Sequence, residues 1–196
     1  MTDVLDSVRA GECVLLATDT VYGLAALPST PGYRRIFELK RRDAEQVLPW
    51  LVGSVADLDY YGEDVPAYAT RLARAFWPGG LTLVVRASKA ARELGSVAED
   101  GTVALRMPDE PFVLCLLGEL GAPVACTSAN LHGLPAPRRF ADIDASMQGL
   151  SHDVAIPLSC KGGTASTIVD CTEPGGPRII RHGAVSDADI HSCLND

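Results

Sequence analysis

Seven short apolar runs of about strand length punctuate this chain: Cys13 to Ala17, Leu48 to Val52, Leu81 to Val85, Thr102 to Leu105, Val124 to Cys126, Ser166 to Val169 and Arg178 to Ile180. Each is rich in β-forming residues and bounded by Gly, Pro, Asp or Ser. Helical periodicity fills several of the intervals. From Pro66 to Phe76, the residues Tyr68, Ala69, Leu72, Ala75 and Phe76 share one face while Arg71 and Arg74 share another. Pro111 to Leu120 reads as a second helix, with Asp109 as N-cap, an early proline and Gly121 as its stop. Ile36 to Arg42 ends a third. Strands alternating with helices along the whole length predict a single α/β domain, residues 1–196, on a twisted mixed sheet of parallel and antiparallel strands with flanking helices. The connections vary too much in length for a regular barrel, and neither an internal repeat nor an interdomain linker is visible. Leu131 to Leu158, rich in Pro, Gly, His and Asp, reads as long loops with one short helix.

Charge narrows the class of partner. The formal net charge is -8, which disfavours broad contact with a phosphate backbone, because that requires many cations spread over a surface. Yet five of the 17 Lys and Arg residues lie between Arg34 and Arg42, directly after Ala17-Thr18-Asp19-Thr20-Val21-Tyr22-Gly23-Leu24. A local basic concavity for a small anion is therefore compatible with an acidic whole. The six cysteines are scattered, without CxxC or zinc-type spacing, and read as buried reduced thiols. The start, Met1-Thr2-Asp3-Val4, lacks the basic and apolar regions of a signal peptide, and no apolar run reaches the roughly 20 residues of a membrane span. The expectation is a cytoplasmic protein without a membrane partner.

The familiar phosphate signatures are absent. There is no GxxxxGK loop followed by Ser or Thr and no GxGxxG fingerprint. Trp77-Pro78-Gly79-Gly80 and Lys161-Gly162-Gly163-Thr164 read equally as tight turns. No GxSxG elbow exists to place a nucleophile, and the four histidines are tied to no Ser or Cys by any motif. What stands out is a set of polar motifs at strand ends: Thr18-Asp19-Thr20, Lys40-Arg41-Arg42, Leu105-Arg106-Met107-Pro108, Thr127-Ser128-Ala129-Asn130 and Ile180-Arg181. Ligands of α/β sheets bind beyond strand ends, so these motifs point to one shared anionic ligand.

Ala17 to Leu24, Lys40-x-Arg42, Trp77-Pro78-Gly79-Gly80-Leu81-Thr82, Thr102 to Pro108, Ser128-Ala129-Asn130, Ser166-Thr167-Ile168-Val169-Asp170 and Ile179-Ile180-Arg181 stand in the order found in the YrdC/Sua5/TsaC family. From about Val4 to Asp189 the chain resembles the L-threonylcarbamoyladenylate synthases. The resemblance implies one YrdC-like domain around a deep basic cavity. It also implies an enzyme, a nucleotidyltransferase that joins L-threonine, bicarbonate and ATP into threonylcarbamoyl-AMP and pyrophosphate. Other proteins then transfer the threonylcarbamoyl group to N6 of adenosine 37 in tRNA, and tRNA itself is at most a weak or transient partner.

By that resemblance Lys40, Arg42 and Arg106 are the catalytic set. Thr20, Tyr22, Arg106, Ser128 and Ser166 fall on the threonine side, the Arg106 guanidinium offering a fork suited to a carboxylate. Lys40, Arg42, Gln46, Thr102, Asn130, Arg138 and Arg181 fall on the ATP side. Magnesium is expected with the triphosphate, although no carboxylate cluster marks a protein-held metal. Asp19 reads either as a charged group at the substrate ammonium or as a turn residue.

The chain departs from the family pattern after Arg42, where two usual prolines are replaced by Asp43 and Val47. Leu51 stands where some members carry a histidine, Arg138 where a small hydroxyl residue is common, and His182 where proline usually follows Arg181. Two alternatives accompany the synthase reading. One is a divergent paralogue handling another carbamoyl adenylate; the other is a non-catalytic module for RNA or nucleotide.

Overall fold

The computed structural model describes residues 2–43, 47–150, 160 and 162–195. Gln46 lies outside them. Eight strands form one sheet: β1 (Val14–Ala17), β2 (Tyr22–Ala26), β3 (Trp50–Leu51), β4 (Leu81–Arg86), β5 (Thr102–Arg106), β6 (Val124–Ser128), β7 (Thr167–Asp170) and β8 (Arg178–Arg181). Their spatial order is β1-β2-β6-β3-β5-β4-β7-β8. Only β3 with β5 and β4 with β7 pair in parallel; the other five pairings are antiparallel. The sheet is mixed, as the interleaved pattern predicts.

The helices are α1 (Thr2–Arg9), α2 (Pro31–Lys40), α3 (Asp57–Tyr61), α4 (Ala67–Phe76), α5 (Lys89–Leu94), α6 (Pro111–Leu120), α7 (Ala145–Gln148) and α8 (Asp187–Asn195). α2 starts on a Thr30 side-chain cap to the Tyr33 N–H, with Pro31 supplying the preset φ of a first turn. α6 begins one residue later than the Asp109 cap reading, with Glu110 at the N-cap, and ends at left-handed Gly121 as expected. Strand β2 and helices α1, α3, α5 and α8 extend the sequence reading.

The two faces of the sheet are covered unequally, and that inequality creates the site. One face carries the main core, where Leu15, Leu24, Trp50, Leu83, Leu105 and Val169 pack under residues such as Ile36 and Phe37 of α2 and Leu72 of α4. The other face is covered by α1 and α6 only over its β1-β2-β6-β3 side. There Val4, Val8, Val113, Leu116 and Leu117 close over Val14, Leu16, Ala25 and Val124. Beyond α6, over β5, β4, β7 and β8, the described residues leave that face open to a cavity. None of the described helices is long and apolar enough to cross a membrane.

Candidate functional site

Strand alternation decides which side chains enter the open face. Thr82 and Val84 of β4 pair across the ladders with Ile168 and Ala104, and Arg106 of β5 pairs with Leu51 of β3. With Gly23, Ser128 and Ser166 they border a cavity of about 300 Å³. Three guanidinium groups, Arg42, Arg106 and Arg181, also line it, and no Asp or Glu is among its described lining residues. Three cations of an acidic chain thus border one cavity.

Arg106 is the most constrained of the three. It is 7% exposed. Its Nε donates to Gly79 O at 2.9 Å, one terminal nitrogen donates to Thr20 Oγ1 at 2.9 Å, and the other to Asp19 Oδ1 at 2.5 Å. A guanidinium carries five N–H groups, so two remain, one on each terminal nitrogen. The Thr18-Asp19-Thr20 turn is itself tied: Thr18 Oγ1 donates to Val21 O at 2.6 Å and accepts from the Thr20 and Val21 amides. Gly162 N donates to Asp19 O at 2.9 Å and Gly163 N to Thr20 O at 2.6 Å. A Cβ on Gly162 would come within 2.7 Å of that Asp19 oxygen, so glycine is needed for the close approach.

On the opposite wall, Arg181 donates from Nε to Ser166 O at 3.0 Å and from Nη2 to Ser166 O at 2.8 Å and Oγ at 2.9 Å. Ser166 Oγ also meets Thr82 Oγ1 at 2.8 Å. Burial and, after it, the nearby Arg106 lower the pKa of Arg181, and burial is the main cause of the lowered pKa of Arg42. A neighbouring cation contributes only at Arg181; at Arg42 burial acts against the opposing influence of Tyr33.

The cavity therefore gathers Thr20, Arg42, Arg106, Ser128, Ser166 and Arg181. The other expected residues lie elsewhere. Tyr22 is not part of the wall. Its neighbours Val21 and Gly23 line the cavity, and alternation sends the Tyr22 ring to the opposite face, fully buried with its edge on Phe140. Thr102 shares the face of Ala104 and Arg106 but sits four residues away, roughly 13 Å along the strand, with its hydroxyl donating to Asp100 at 2.7 Å. Arg138 is exposed and donates to Gly162 O at 3.3 Å. Lys40 and Asn130 are engaged with each other beneath the 128–130 turn.

Lys40 is 2% exposed, and burial first, then Arg42, lowers its pKa to about 8. Asp19, open between two readings, is the ion-pair partner of Arg106. Two further groups contribute. The Gly79 carbonyl aims Arg106, and the buried Thr82 hydroxyl supports Ser166; both belong to the Trp77 to Thr82 motif, where the turn reading hid them. Of the departures from the family pattern, Val47 and Leu51 add apolar surface to the cavity, and exposed His182 pairs with Asp187 at 2.9 Å.

Comparison with known proteins converges on one group. The model of the Sua5/YciO/YrdC family, described as "Telomere recombination", matches residues 6–183. The threonylcarbamoyl-AMP synthase of Bacillus subtilis is 31% identical over 188 residues, 95% of this chain and 54% of that protein. A Mycobacterium tuberculosis relative is 36% identical over 199 residues, 99% of this chain and 88% of its own length. The structure of Pyrococcus abyssi Sua5 complexed with L-threonine superposes with a TM-score of 0.88 at 31% identity, covering 98% of this chain and 56% of that one. The chain thus spans little more than half of the Bacillus and Pyrococcus proteins.

Proposed function

Since the chain belongs to the Sua5/YciO/YrdC family, we propose that it is a threonylcarbamoyl-AMP synthase. It joins L-threonine, bicarbonate and ATP, releases pyrophosphate and yields the adenylate used to modify N6 of adenosine 37 in tRNA. The observation that carries this reading is the cavity itself, lined by three guanidinium groups and, among the described residues, by no carboxylate, within an acidic domain. The name of the Bacillus relative and the threonine complex of Pyrococcus Sua5 support it.

Each part of the site fits a step. The two unspent N–H groups of Arg106 take the threonine carboxylate, and Thr20 and Asp19 hold the guanidinium in place for it. Ser128 and Ser166 offer hydroxyls for the remaining polar groups of the amino acid. Arg42 and Arg181 face the triphosphate. When the carboxylated amine of threonine attacks the α-phosphorus, an oxygen–phosphorus bond forms and the bond to the pyrophosphate leaving group breaks. Fixed cations stabilise the charge that builds on the phosphoryl and pyrophosphate oxygens, and reactants held side by side need no covalent protein intermediate. Thr102, farther along β5, stands where an extended nucleotide would pass.

Among the described residues no group of three or more His, Cys, Asp or Glu could hold a metal. In this reading magnesium arrives with the triphosphate, as part of the substrate. The adenylate passes to a separate transferase, in the cytoplasm, and tRNA makes no lasting contact with this chain.

The test is pyrophosphate release by purified protein given ATP, magnesium, bicarbonate and L-threonine. Release must depend on threonine. No threonine dependence, under conditions where the Bacillus enzyme works, sinks the reading, and release driven by carbamoyl phosphate instead points to a paralogue with another acyl group.

A further inference from the structure

α2 ends on Lys40, and the next residue, Arg41, adopts a left-handed conformation with φ of 50°. That turn separates the two cations of Lys40-x-Arg42. Arg42 reaches the cavity lining, while the Lys40 ammonium lies beneath the 128–130 turn.

The donor count at Lys40 is complete. An ammonium has three N–H groups. Ser128 O accepts one, Asn130 O accepts at 2.8 Å, and Asn130 Oδ1 accepts at 3.2 Å. The Lys40 carbonyl in turn accepts from His132 N at 2.9 Å, so the turn is held from both ends.

Asn130 is equally spent. Its Oδ1 accepts from Lys40 and from the Ser128 hydroxyl, and its Nδ2 donates to Leu131 O at 3.0 Å and Leu134 O at 2.6 Å. Two carbonyls facing one end of the amide fix that end as nitrogen. Neither side chain keeps a hydrogen-bonding group for a phosphate. Ser128 differs, because its own hydrogen is committed to Asn130 while the residue lines the cavity and its hydroxyl oxygen keeps a free lone pair. It meets the cavity as an acceptor.

We propose that Lys40 and Asn130 are positioning residues, through which the end of α2 holds the Ser128 hydroxyl as a hydrogen-bond acceptor for a donor group of the amino-acid substrate. This rests on the synthase reading, and divides the Lys40-x-Arg42 motif into one brace and one nucleotide ligand. The brace acts on threonine. Arg42 and Arg181 remain the cations of the nucleotide end.

The experiment measures L-threonine and Mg-ATP dissociation constants by calorimetry for the wild-type chain, Lys40→Met, Ser128→Ala and the double variant. Each single variant should weaken threonine by about tenfold or more, the worth of one lost charged hydrogen bond, with ATP changed less than about threefold. The double variant should lose no more than the worse single, because both changes remove one linked contact. Loss of ATP binding with threonine spared in Lys40→Met overturns the proposal, and so do losses that multiply in the double variant.

If circular dichroism shows that Lys40→Met does not fold, Asn130→Ala takes its place, with the same pattern supporting the proposal and the same inverse pattern overturning it. Wild-type protein that binds neither ligand refutes the synthase reading and this proposal with it. Wild-type protein that binds both, while Lys40→Met or its substitute loses ATP alone, refutes only the brace.

Discussion

Arg106 concentrates most of the specificity that one residue can supply here. Its side chain is 9% exposed and paired with an Asp19 carboxylate that is 12% exposed. Removing it has two separable effects. Arg106→Ala should lower threonine affinity by about a hundredfold or more, since truncating one partner of a buried charged contact costs roughly 2–5 kcal/mol, while ATP binding persists through Arg42 and Arg181. Equal loss of both ligands in calorimetry would contradict that division. The same change strands Asp19, and an uncompensated buried charge costs about 3 kcal/mol or more, so a lower melting temperature is expected without ligand. Arg106→Lys should not restore threonine binding. A lysine lacks the planar fork needed to serve Gly79 O, Thr20, Asp19 and a carboxylate together.

At the level of elements, legibility followed periodicity. The candidate positions Thr20, Ser128, Ser166 and Arg181 stand beside or at the ends of apolar runs, and Arg106 closes β5; strand alternation then aims such residues at one face. Tyr22 lies off the cavity because it belongs to β2, a strand that the sequence pattern does not mark. Its sequence, YGLAA, is buried at all five positions, so no polar alternation marks it, and without the strand there was no way to see that Tyr22 and Gly23 face opposite ways. Lys40 and Arg42 looked alike for a related reason. Their separation depends on the left-handed turn at Arg41, and a non-glycine residue gives no sequence signal for it. This turn makes its own prediction. Arg41→Gly should raise stability by about 1 kcal/mol, because a side chain in the left-handed region costs roughly 1–2 kcal/mol and glycine's greater unfolded entropy returns part of that. A urea midpoint that rises with an unchanged m-value is the expected result; a midpoint that falls would mean the Arg41 side chain holds something the backbone argument omits.

For the whole molecule, the burial of thiols sets the alkaline limit of the fold. Cys13, Cys126 and Cys171 each have their pKa raised from 9.0 to about 12, with desolvation the first cause in every case. Above pH 9 the unfolded chain gives up these protons while the folded chain keeps them, so stability falls as pH rises through that window. Each group contributes at most about 1.4 kcal/mol per pH unit, and three together about 4. Lys40 opposes them. Its folded pKa is lowered from 10.5 to about 8, so between those values the unfolded chain holds more of that proton and stability rises with pH. The thiols outnumber it, and a domain with about 10 kcal/mol of stability should lose its fold a few pH units above 9. Urea midpoints measured from pH 8 to 11 should therefore fall once past pH 9, and the fall should be shallower in Cys171→Ala, which removes one of the three thiol contributions. A midpoint that stays level to pH 11 would show that these thiols ionise in place. The same burial predicts the order of labelling at pH 8: exposed Cys115 reacts at once with a thiol reagent, whereas Cys13 and Cys171 react only when the sheet opens.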